Sequence, residues 1–488
     1  MPVGLEAVVF DIDTRAQGPL FLRIAHAVAQ DLARGRLRPG ARLPGSRALA
    51  GSLGVHRNTV VAAYAELAAE GWVVTRAGGG TFVSDQLPEP RPRAFSRRAP
   101  RRAGVPSQLG FDLPPAREPV ERWPPPGAVV LSDAVPDLRL VPHAALARAY
   151  RRAMRRTGSR LLGYSDPRGH PELRAAIAAW VSSARGIAAG PDAVIVTRGS
   201  QMSIDLVARA VLSRGETVVV EELGYQPARA ALARTGARLA PVDVDGGGLD
   251  TAALARLCRR RRVRAVHVTP HHHYPTTVAM APHRRLELLE LAARHRFAVI
   301  EDDYDHEFHY DGRPILPLAS ADTAGVVIYV GTLSKVLAPG LRLGFAVAPP
   351  ALIERLAAER SLVDRQGDQV LEAAVAELMV DGELPQHIRR MRGVYRERRD
   401  ALMDSLRRRL GDSLQVDAPR GGMALWAHAP GIDVAAWKRR ALAGGIAFLV
   451  ASDYSFHARP APYLRLGFAA LDPDELDQAV RRMAAALP

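Results

Sequence analysis

Apolar and polar residues alternate with two different periods along the chain, and the period divides it into segments. Between residues 17 and 83, apolar side chains recur at helical spacing in three stretches. The last two stretches are short and are separated by a tight turn at Gly54, a pattern typical of a helix-turn-helix. Two strand-like runs, 72–75 and 81–83, follow around a glycine tip and predict a β-hairpin, so that the segment is predicted to be a winged helix-turn-helix.

Residues 84–126 differ in composition from the residues before and after them. Eleven prolines fall among these 43 positions, which favours an extended linker without a packed core. From residue 127 to 488, apolar strand-like runs alternate with amphipathic helical stretches. This alternation predicts an α/β domain with a mostly parallel sheet, followed by a small C-terminal α/β subdomain near residues 421–471.

Length and composition narrow the class of protein. A chain of 488 residues is too long for one hydrophobic core, so several domains are expected. The net charge of +15 is compatible with nucleic acid, although charge alone indicates only non-specific attraction. The single cysteine, Cys258, excludes an internal disulfide and argues against a cysteine-ligated metal. No signal peptide and no apolar run of about 18 residues is visible, and we expect a cytoplasmic protein.

Two residue types are unusually rare. The chain has two lysines, Lys335 and Lys438, and one asparagine, Asn58. Where a chain is so poor in a residue type, the retained copies are expected at positions that arginine or aspartate cannot fill. Both Lys335 and Asn58 fall inside motifs, whereas Lys438 stands beside two arginines and reads as a surface lysine.

The second helix of the predicted pair opens with three residues suited to reading DNA. The second helix of such a pair enters the major groove, where arginine pairs with guanine and asparagine with adenine. Arg57 and Asn58 supply these groups, and Thr59 suits a phosphate. The glycine tip at Gly78 and Gly79 would allow the hairpin to approach DNA closely. The residues also leave open a simpler interpretation, in which Asn58 caps the helix and Arg57 is solvated.

A second group of motifs suits pyridoxal 5'-phosphate. This cofactor needs a lysine for a Schiff base and a carboxylate beside its ring nitrogen. Lys335 supplies the amine, which arginine could not replace. Asp302 and Tyr304 end an apolar strand on the same face and suit the ring nitrogen and the ring hydroxyl.

The remaining needs of that cofactor are an anion cradle and an aromatic face. Ser200 and Gln201 open a helix directly after a strand, which is an anion-binding arrangement. The segment 331–344 adds hydroxyls and an arginine around Lys335. Tyr225 is a candidate to stack on the ring.

Longer blocks of the sequence carry a family resemblance. The N-terminal segment resembles the winged helix of GntR-family regulators over RPGARLPGSRALAGSLGVHRNTV. The blocks YSDPRGHPELR, IEDDYDHEFHYDGRP, GTLSKVLAPGLRLG and LRLGFA resemble fold-type I aminotransferases. Together they resemble the MocR subfamily of GntR-family transcription regulators. The resemblance implies DNA contacts from Arg47, Arg57, Asn58, Thr59, Gly78 and Gly79.

The same resemblance assigns roles around the cofactor. It implies a Schiff base at Lys335, with Asp302 at the ring nitrogen, Tyr304 at the ring hydroxyl and Tyr225 over the ring. Arg465 corresponds to the arginine that grips an amino acid's carboxylate. Tyr164 would reach the phosphate of a partner subunit, which implies a homodimer. The phosphate ligands that it implies within one chain are Ser200, Gln201, Thr332, Ser334 and Arg342.

Two positions depart from the family pattern. The family often has Pro-Thr-Gly where this chain has Thr277 in the glycine position, and it often has glutamine where His273 stands. Both departures put the effector, and not the cofactor, in doubt. The triplet at positions 271–273 could suggest a metal site, but no further ligand motif accompanies it and we expect no metal there.

Three functions are compatible with these motifs. The first is a regulator whose cofactor and an amino acid, an amine or the cofactor itself control DNA binding. The second is an aminotransferase with a DNA-binding appendage, and the third is a DNA-binding protein whose large domain is a scaffold for dimerisation. A full set of candidate cofactor residues argues against the third. The intact winged helix and the linker favour the first, because a dedicated enzyme would need neither.

Overall fold

The structure, a computed structural model, describes residues 10, 12, 18–76, 79–88, 110–113, 125–131, 134–312 and 315–488. The chain splits into two compact units, Met1–Pro115 and Ala116–Pro488. Gly78 and most of the linker predicted at 84–126 lie outside the described residues. The predicted boundaries of the three segments, 17–83, 84–126 and 127–488, stay predictions.

The described residues of the N-terminal unit form three helices and a hairpin. Buried apolar residues of the first and third helices, among them Ile24, Val28, Val60 and Leu67, form its core. Gly54 ends the second helix with φ 63°, in the left-handed region that favours glycine. The elements are α1 (Leu20–Ala33), α2 (Ser46–Leu53), α3 (Arg57–Ala69), β1 (Val73–Arg76) and β2 (Gly80–Val83), with β1 and β2 antiparallel. The winged helix-turn-helix prediction is confirmed.

The second unit begins with alternating strands and helices. Its first elements are β3 (Val129–Val130), α4 (His143–Leu161), α5 (Pro171–Arg185), β4 (Val194–Thr197), α6 (Ser200–Val211), β5 (Thr217–Glu221), α7 (Gln226–Arg234), β6 (Arg238–Val242), β7 (Val244–Asp245), β8 (Gly248–Leu249), α8 (Thr251–Arg260), β9 (Val263–Val268), α9 (Pro282–His295), β10 (Ala298–Asp303), β11 (Val327–Thr332) and β12 (Gly344–Val347).

The remaining elements are mainly helical before the chain returns to a small sheet. They are α10 (Pro350–Val363), α11 (Gln369–Val380), α12 (Glu383–Leu410), β13 (Gln415–Val416), β14 (Ala424–His428), α13 (Val434–Ala443), β15 (Ile446–Ala447), β16 (Leu449–Val450), α14 (Ala451–Tyr454), β17 (Tyr463–Gly467) and α15 (Pro473–Ala485).

A seven-stranded sheet forms the centre of this unit. Its strand order is β4-β12-β11-β10-β9-β5-β6, with β12 antiparallel to both neighbours and the other pairs parallel. Nearly every residue of β4, β5, β10 and β11 is buried, because helices cover both faces of the sheet. Helices α6, α7 and α10 pack on one face, and α5, α9 and α11 pack on the other.

The C-terminal residues form the small subdomain. Its four-stranded sheet has the order β13-β14-β17-β16 and packs against α12, α13 and α15. The predicted α/β architecture with a mainly parallel sheet and a small C-terminal subdomain is therefore confirmed. Within the described ranges, no helix combines the length and the apolar character needed to cross a membrane.

Candidate cofactor pocket and DNA-binding helix

The N-terminus of α6 forms a cradle for an anion. Gly199 precedes the helix with φ 85°, and Ser200 and Gln201 are its first residues. The Arg342 guanidinium donates from Nη2 to the carbonyl of Arg198 at 2.7 Å and reaches within 3.0 Å of where a side chain on Gly199 would begin. Helix N-terminal amides and a guanidinium both bind phosphate, so this arrangement suits a phosphate group.

The segment after β11 completes the cradle and carries the candidate lysine. The buried Thr332 hydroxyl accepts a hydrogen bond from the Ser334 amide at 3.1 Å, and Lys335 follows in the same turn, half-buried. Gly344 of β12 packs so closely on the α6 terminus that a Cβ there would lie 2.7 Å from the Cα of Gly199. The lysine segment and the helix terminus are therefore neighbours in space, although 135 positions separate Ser200 from Lys335.

Asp302 and Asp303 point to opposite faces of β10 and have different partners. Asp303 Oδ2 accepts hydrogen bonds from Tyr329 at 2.8 Å and from the ring of His306 at 2.9 Å. Burial would raise the pKa of Asp303, but His306, His271 and Arg185 together lower it well below its usual range. Asp302 Oδ1 is buried and finds no hydrogen-bond partner in the described part of the chain. Asp302 is therefore the carboxylate available to a cofactor.

One tyrosine that was not predicted from the sequence, Tyr274, contacts three of the predicted site residues. These are Tyr225, Tyr304 and Arg465. The ring of Tyr274 lies 5.3 Å from that of Tyr225 and 6.0 Å from that of Tyr304, both edge-on. The Arg465 guanidinium lies 4.6 Å above the Tyr274 ring, and its Nη1 donates to the Pro275 carbonyl at 2.7 Å. The buried Tyr304 hydroxyl faces the Arg465 guanidinium, and Arg465 Nε has no hydrogen-bond partner among the described residues.

The two departures from the family pattern contact each other beside this group. The His273 ring bonds through Nδ1 with the Thr276 hydroxyl at 2.7 Å, and its Nε2 lies 3.1 Å from the Leu223 carbonyl. Burial lowers the pKa of His273 to about 3 and raises the pKa of Glu221, 3.6 Å away, to about 8. Thr277 takes φ 63°, the left-handed conformation that glycine adopts without strain. The family's glycine position is thus occupied at a conformational cost.

Tyr164 lies apart from these residues within one chain. Its side chain is 82% exposed, and the guanidinium of Arg365 lies 4.0 Å above its ring. A large exposed aromatic side chain suits a contact with a second molecule. The sequence-based role of Tyr164 in a partner's site stays a prediction.

In the N-terminal unit, the residues at the start of α3 are presented to solvent. His56 is the cap of this helix, because its Nδ1 accepts from the Asn58 amide at 3.3 Å. The side chain of Asn58 is therefore not needed as a cap and stays exposed. Arg57 is also exposed, and its Nε donates to the Ser46 hydroxyl at 3.4 Å. Of the other candidates, Arg47 is exposed, Thr59 and Gly79 are half-buried, and Gly78 lies outside the described residues.

The second unit also contains a group of buried histidines that was not predicted from the sequence. His306 and His309 lie beside His271, with ring centroids 4.5 and 6.4 Å from it. Asp303, His306 and His309 recur at every third position after the strand, and this spacing was the available signal. This spacing alone did not predict the group, because the triplet at 271–273 is more than 30 positions away in the chain.

Comparison with known proteins identifies both units. Residues 129–483 match the family of class I and II aminotransferases, and residues 20–83 match the gntR family of bacterial regulatory proteins. The chain is 34% identical over 479 residues to the probable rhizopine catabolism regulatory protein MocR of Rhizobium meliloti, covering 97% of this chain and 95% of that one. It is 33% identical over 481 residues to the HTH-type transcriptional regulator TauR of Rhodobacter capsulatus, covering 96% and 97%.

Solved structures match the second unit. The α-aminoadipate aminotransferase LysN of Thermus thermophilus, in complex with N-(5'-phosphopyridoxyl)-L-leucine, is 31% identical with a TM-score of 0.69, covering 74% of this chain and 92% of that one. The chain therefore belongs to the MocR-type gntR-family regulators, in which a winged helix is joined to a class I and II aminotransferase domain. It is a transcription regulator.

The close packing at Gly344 gives a test of the cradle. Gly344→Ala would place a methyl group 2.6–2.8 Å from backbone atoms of Gly199 and Ser200. We expect a loss of about 1–3 kcal/mol in the free energy of unfolding, since neither backbone can give way freely. Gly340→Ala is the matched control, because no described atom lies within 4 Å of its added methyl. Urea unfolding of both variants measures the difference, and equal stabilities would contradict the packing described here.

Proposed function

We propose that this regulator holds pyridoxal 5'-phosphate at Lys335 and couples the binding of an amino acid or amine to DNA binding by α3. One observation carries the proposal: transcription regulators match the chain over both of its domains, including the class I and II aminotransferase domain. When bound, this cofactor supplies an aldehyde that condenses with primary amines. The chain's own residues then determine which amine is held, and in which orientation.

The residues present fit the cofactor. Lys335 is the candidate attachment point, and Asp302 Oδ1, buried without a partner among the described residues, is the candidate acceptor for a ring N–H. A carboxylate held in a partly dry pocket stabilises such a charge more strongly than one in water. The Tyr304 hydroxyl can donate to the ring oxygen, and Tyr225 is the candidate to lie over the ring. Ser200, Gln201, Thr332, Ser334 and Arg342 are the candidates to hold the phosphate.

A second copy of the chain would complete the site. Tyr164 is exposed in a single chain, and its proposed contact is with the phosphate of a partner subunit. A homodimer would also present two α3 helices, as expected for an operator with two half-sites. The exposed Arg342 would then become covered on dimerisation.

The alternative function is an aminotransferase with a DNA-binding appendage. A 2-aminoadipate transaminase of Thermus thermophilus is 32% identical, but it matches only 74% of this chain. The regulators MocR and TauR match 97% and 96% of it, winged helix included. A residual transamination half-reaction stays compatible with the pocket. Steady-state turnover of an amino acid with a keto acid, compared with operator binding, separates the two functions.

The attachment point can be tested with the chain's only two lysines. Borohydride reduction of the purified protein should fix the cofactor to the peptide that contains Lys335. Lys335→Arg should abolish both the trapping and the visible absorbance, because a guanidinium does not condense with the aldehyde. Lys438→Arg is the matched control, since Lys438 pairs with Asp453 at 2.6 Å on the subdomain and should trap nothing. Label on the Lys438 peptide would refute the assignment.

The start of α3 can be tested by operator binding. Arg57→Ala and Asn58→Ala should each weaken binding by about 1–3 kcal/mol and relax base preference at one position. Because His56 caps the helix, neither change should unfold it, and the visible absorbance of the cofactor should be unchanged. Arg38→Ala, which removes an exposed arginine elsewhere in the unit, is the control. If a gel shift shows equal losses for all three variants, the recognition helix is misplaced.

Arg465 can be tested with a pair of ligands. An amino acid and the amine formed by its decarboxylation differ only in the carboxylate that a guanidinium would grip through two hydrogen bonds. Arg465→Lys keeps the positive charge but loses the two parallel N–H donors of the guanidinium. The preference for the amino acid over the amine should therefore fall by roughly tenfold or more. Titration followed by the cofactor's absorbance measures this preference. Arg459→Lys, an exposed change in the same subdomain, should keep the preference for the amino acid. An unchanged preference in Arg465→Lys would refute the proposed contact between Arg465 and the carboxylate.

A further inference from the structure

Four histidines are buried together at the ends of β9 and β10. His271 and His272 follow β9, while His306 and His309 follow β10, and they are between 2% and 9% exposed. The ring centroid of His271 lies 4.4 Å from that of His272 and 4.5 Å from that of His306. Histidine rings are usually half-exposed, and four in contact inside a domain need a physical explanation.

Several ring nitrogens in this group are unsatisfied. Both nitrogens of His271 are buried and lack a hydrogen-bond partner among the residues that the structure describes, and His309, whose ring has the Asp311 backbone as one partner, keeps its other buried nitrogen unpaired. A buried nitrogen left without a partner costs about 1–3 kcal/mol, and most such groups in proteins bind a water or an ion. The unsatisfied nitrogens of these two adjacent histidines are therefore available to a ligand.

His272 is already oriented as a metal ligand would be. His272 Nδ1 donates to Asp305 Oδ1 at 2.8 Å, which leaves Nε2 as the atom available for coordination. Metal-binding histidines commonly donate their other N–H to a carboxylate in this way, which fixes the ring and strengthens the ligand. Gly421 keeps that atom accessible, because a Cβ at this position would lie 2.5 Å from His272 Nε2.

We propose that His271, His272 and His309 form a binding site for a divalent zinc ion. One ligand nitrogen from each of the three residues lies within 4.8 Å of the others. Nitrogens placed tetrahedrally about 2.0–2.1 Å from zinc would be roughly 3.4 Å apart, so small side-chain rotations close the site. The fourth position would be left to water, because Asp305, held at Nδ1 of His272, lies on the far side of that ring from an ion at Nε2.

A second group of the same residues is a weaker candidate. His271, Asp303 and His306 also approach one another within 4.8 Å. However, Asp303 Oδ2 already accepts from Tyr329 and His306, and His306 already uses Nδ1 in that contact. Metal bound by both His306 and Asp303 would replace the buried hydrogen bond between them, whereas the site at His309 leaves the bond between His272 and Asp305 in place.

The site is separate from the cofactor pocket and joins three segments of the second unit. Asp303 and Asp302 lie on opposite faces of β10, so the histidines are on the far side of the strand from the candidate ring contact. His309 pairs with Gly421 across a β-bridge, which connects the β10 loop to the chain that enters β14. Zinc would fasten the loops after β9 and β10 to each other where the small subdomain meets the sheet. The proposal does not depend on the proposed cofactor.

Metal content tests the site directly. Tag-free, cofactor-loaded protein is stripped with a chelator, dialysed against Zn²⁺ and assayed by elemental analysis. We expect one zinc per chain and a higher melting temperature than that of the stripped protein, because the ion binds only the folded form. Co²⁺ should give the visible spectrum of a tetrahedral nitrogen site and be displaced by Zn²⁺. A ratio well below one, or no change in melting temperature, overturns the proposal.

Variants then locate the ion. His309→Gln and His271→Gln should each weaken zinc binding by at least about tenfold. His306→Gln should keep the zinc, and His283→Gln, an exposed histidine at the start of α9, is the matched control. Melting of each stripped variant checks folding independently of the metal, so a variant that fails to fold is replaced by its partner at 309 or 271. Loss in His306→Gln with retention in His309→Gln overturns the assignment.

Discussion

Three consecutive buried carboxylates on the central strand β10 impose the arrangement of the second unit. A charge inside a protein must be paired, hydrogen-bonded or neutralised. Glu301 accepts from the amides of Leu318 and Ala319, and burial raises its pKa to about 7. Asp303 is held by His306 and Tyr329 on the same side of the strand. Asp302, on the opposite side, lies 3.7 Å from His267 through Oδ2 and keeps Oδ1 without a hydrogen-bond partner among the described residues.

The periodic parts of the structure could be predicted from the sequence. Continuous apolar runs gave the strands, and the strand register placed Asp302 apart from Asp303. The α6 terminus at Ser200 could be found because a strand leads directly into a helix. Tyr274 and His309 could not be found in this way, because they lie in loops whose positions depend on tertiary packing. No local pattern states that the loop after β9 meets the loop after β10.

The winged helix shows the same limit at smaller scale. The sequence placed Asn58 at the start of a helix, where asparagine is either a cap or a contact. The neighbouring residue decided between them, because His56 caps α3 through its own ring and leaves the Asn58 side chain exposed. Histidine is not among the preferred caps, so propensity alone pointed to the wrong residue. The exposed Asn58 amide and the neighbouring Arg57 are therefore both accessible to a binding partner.

The pocket's selectivity follows from where its charges are fixed. Arg465 is fully buried, and its guanidinium contacts the Pro275 carbonyl, the Tyr274 ring and the Tyr304 hydroxyl, with Nε unsatisfied among the described residues. A cation in such a place attracts a carboxylate strongly, because little water competes for it. Tyr274 lies between Arg465 and Tyr225. The distance from the Arg465 guanidinium to the candidate position of the cofactor ring is therefore set by one aromatic side chain. A ligand anchored at both ends must match that distance, and the neutral His273, hydrogen-bonded to Thr276, adds no charge that would favour a second carboxylate.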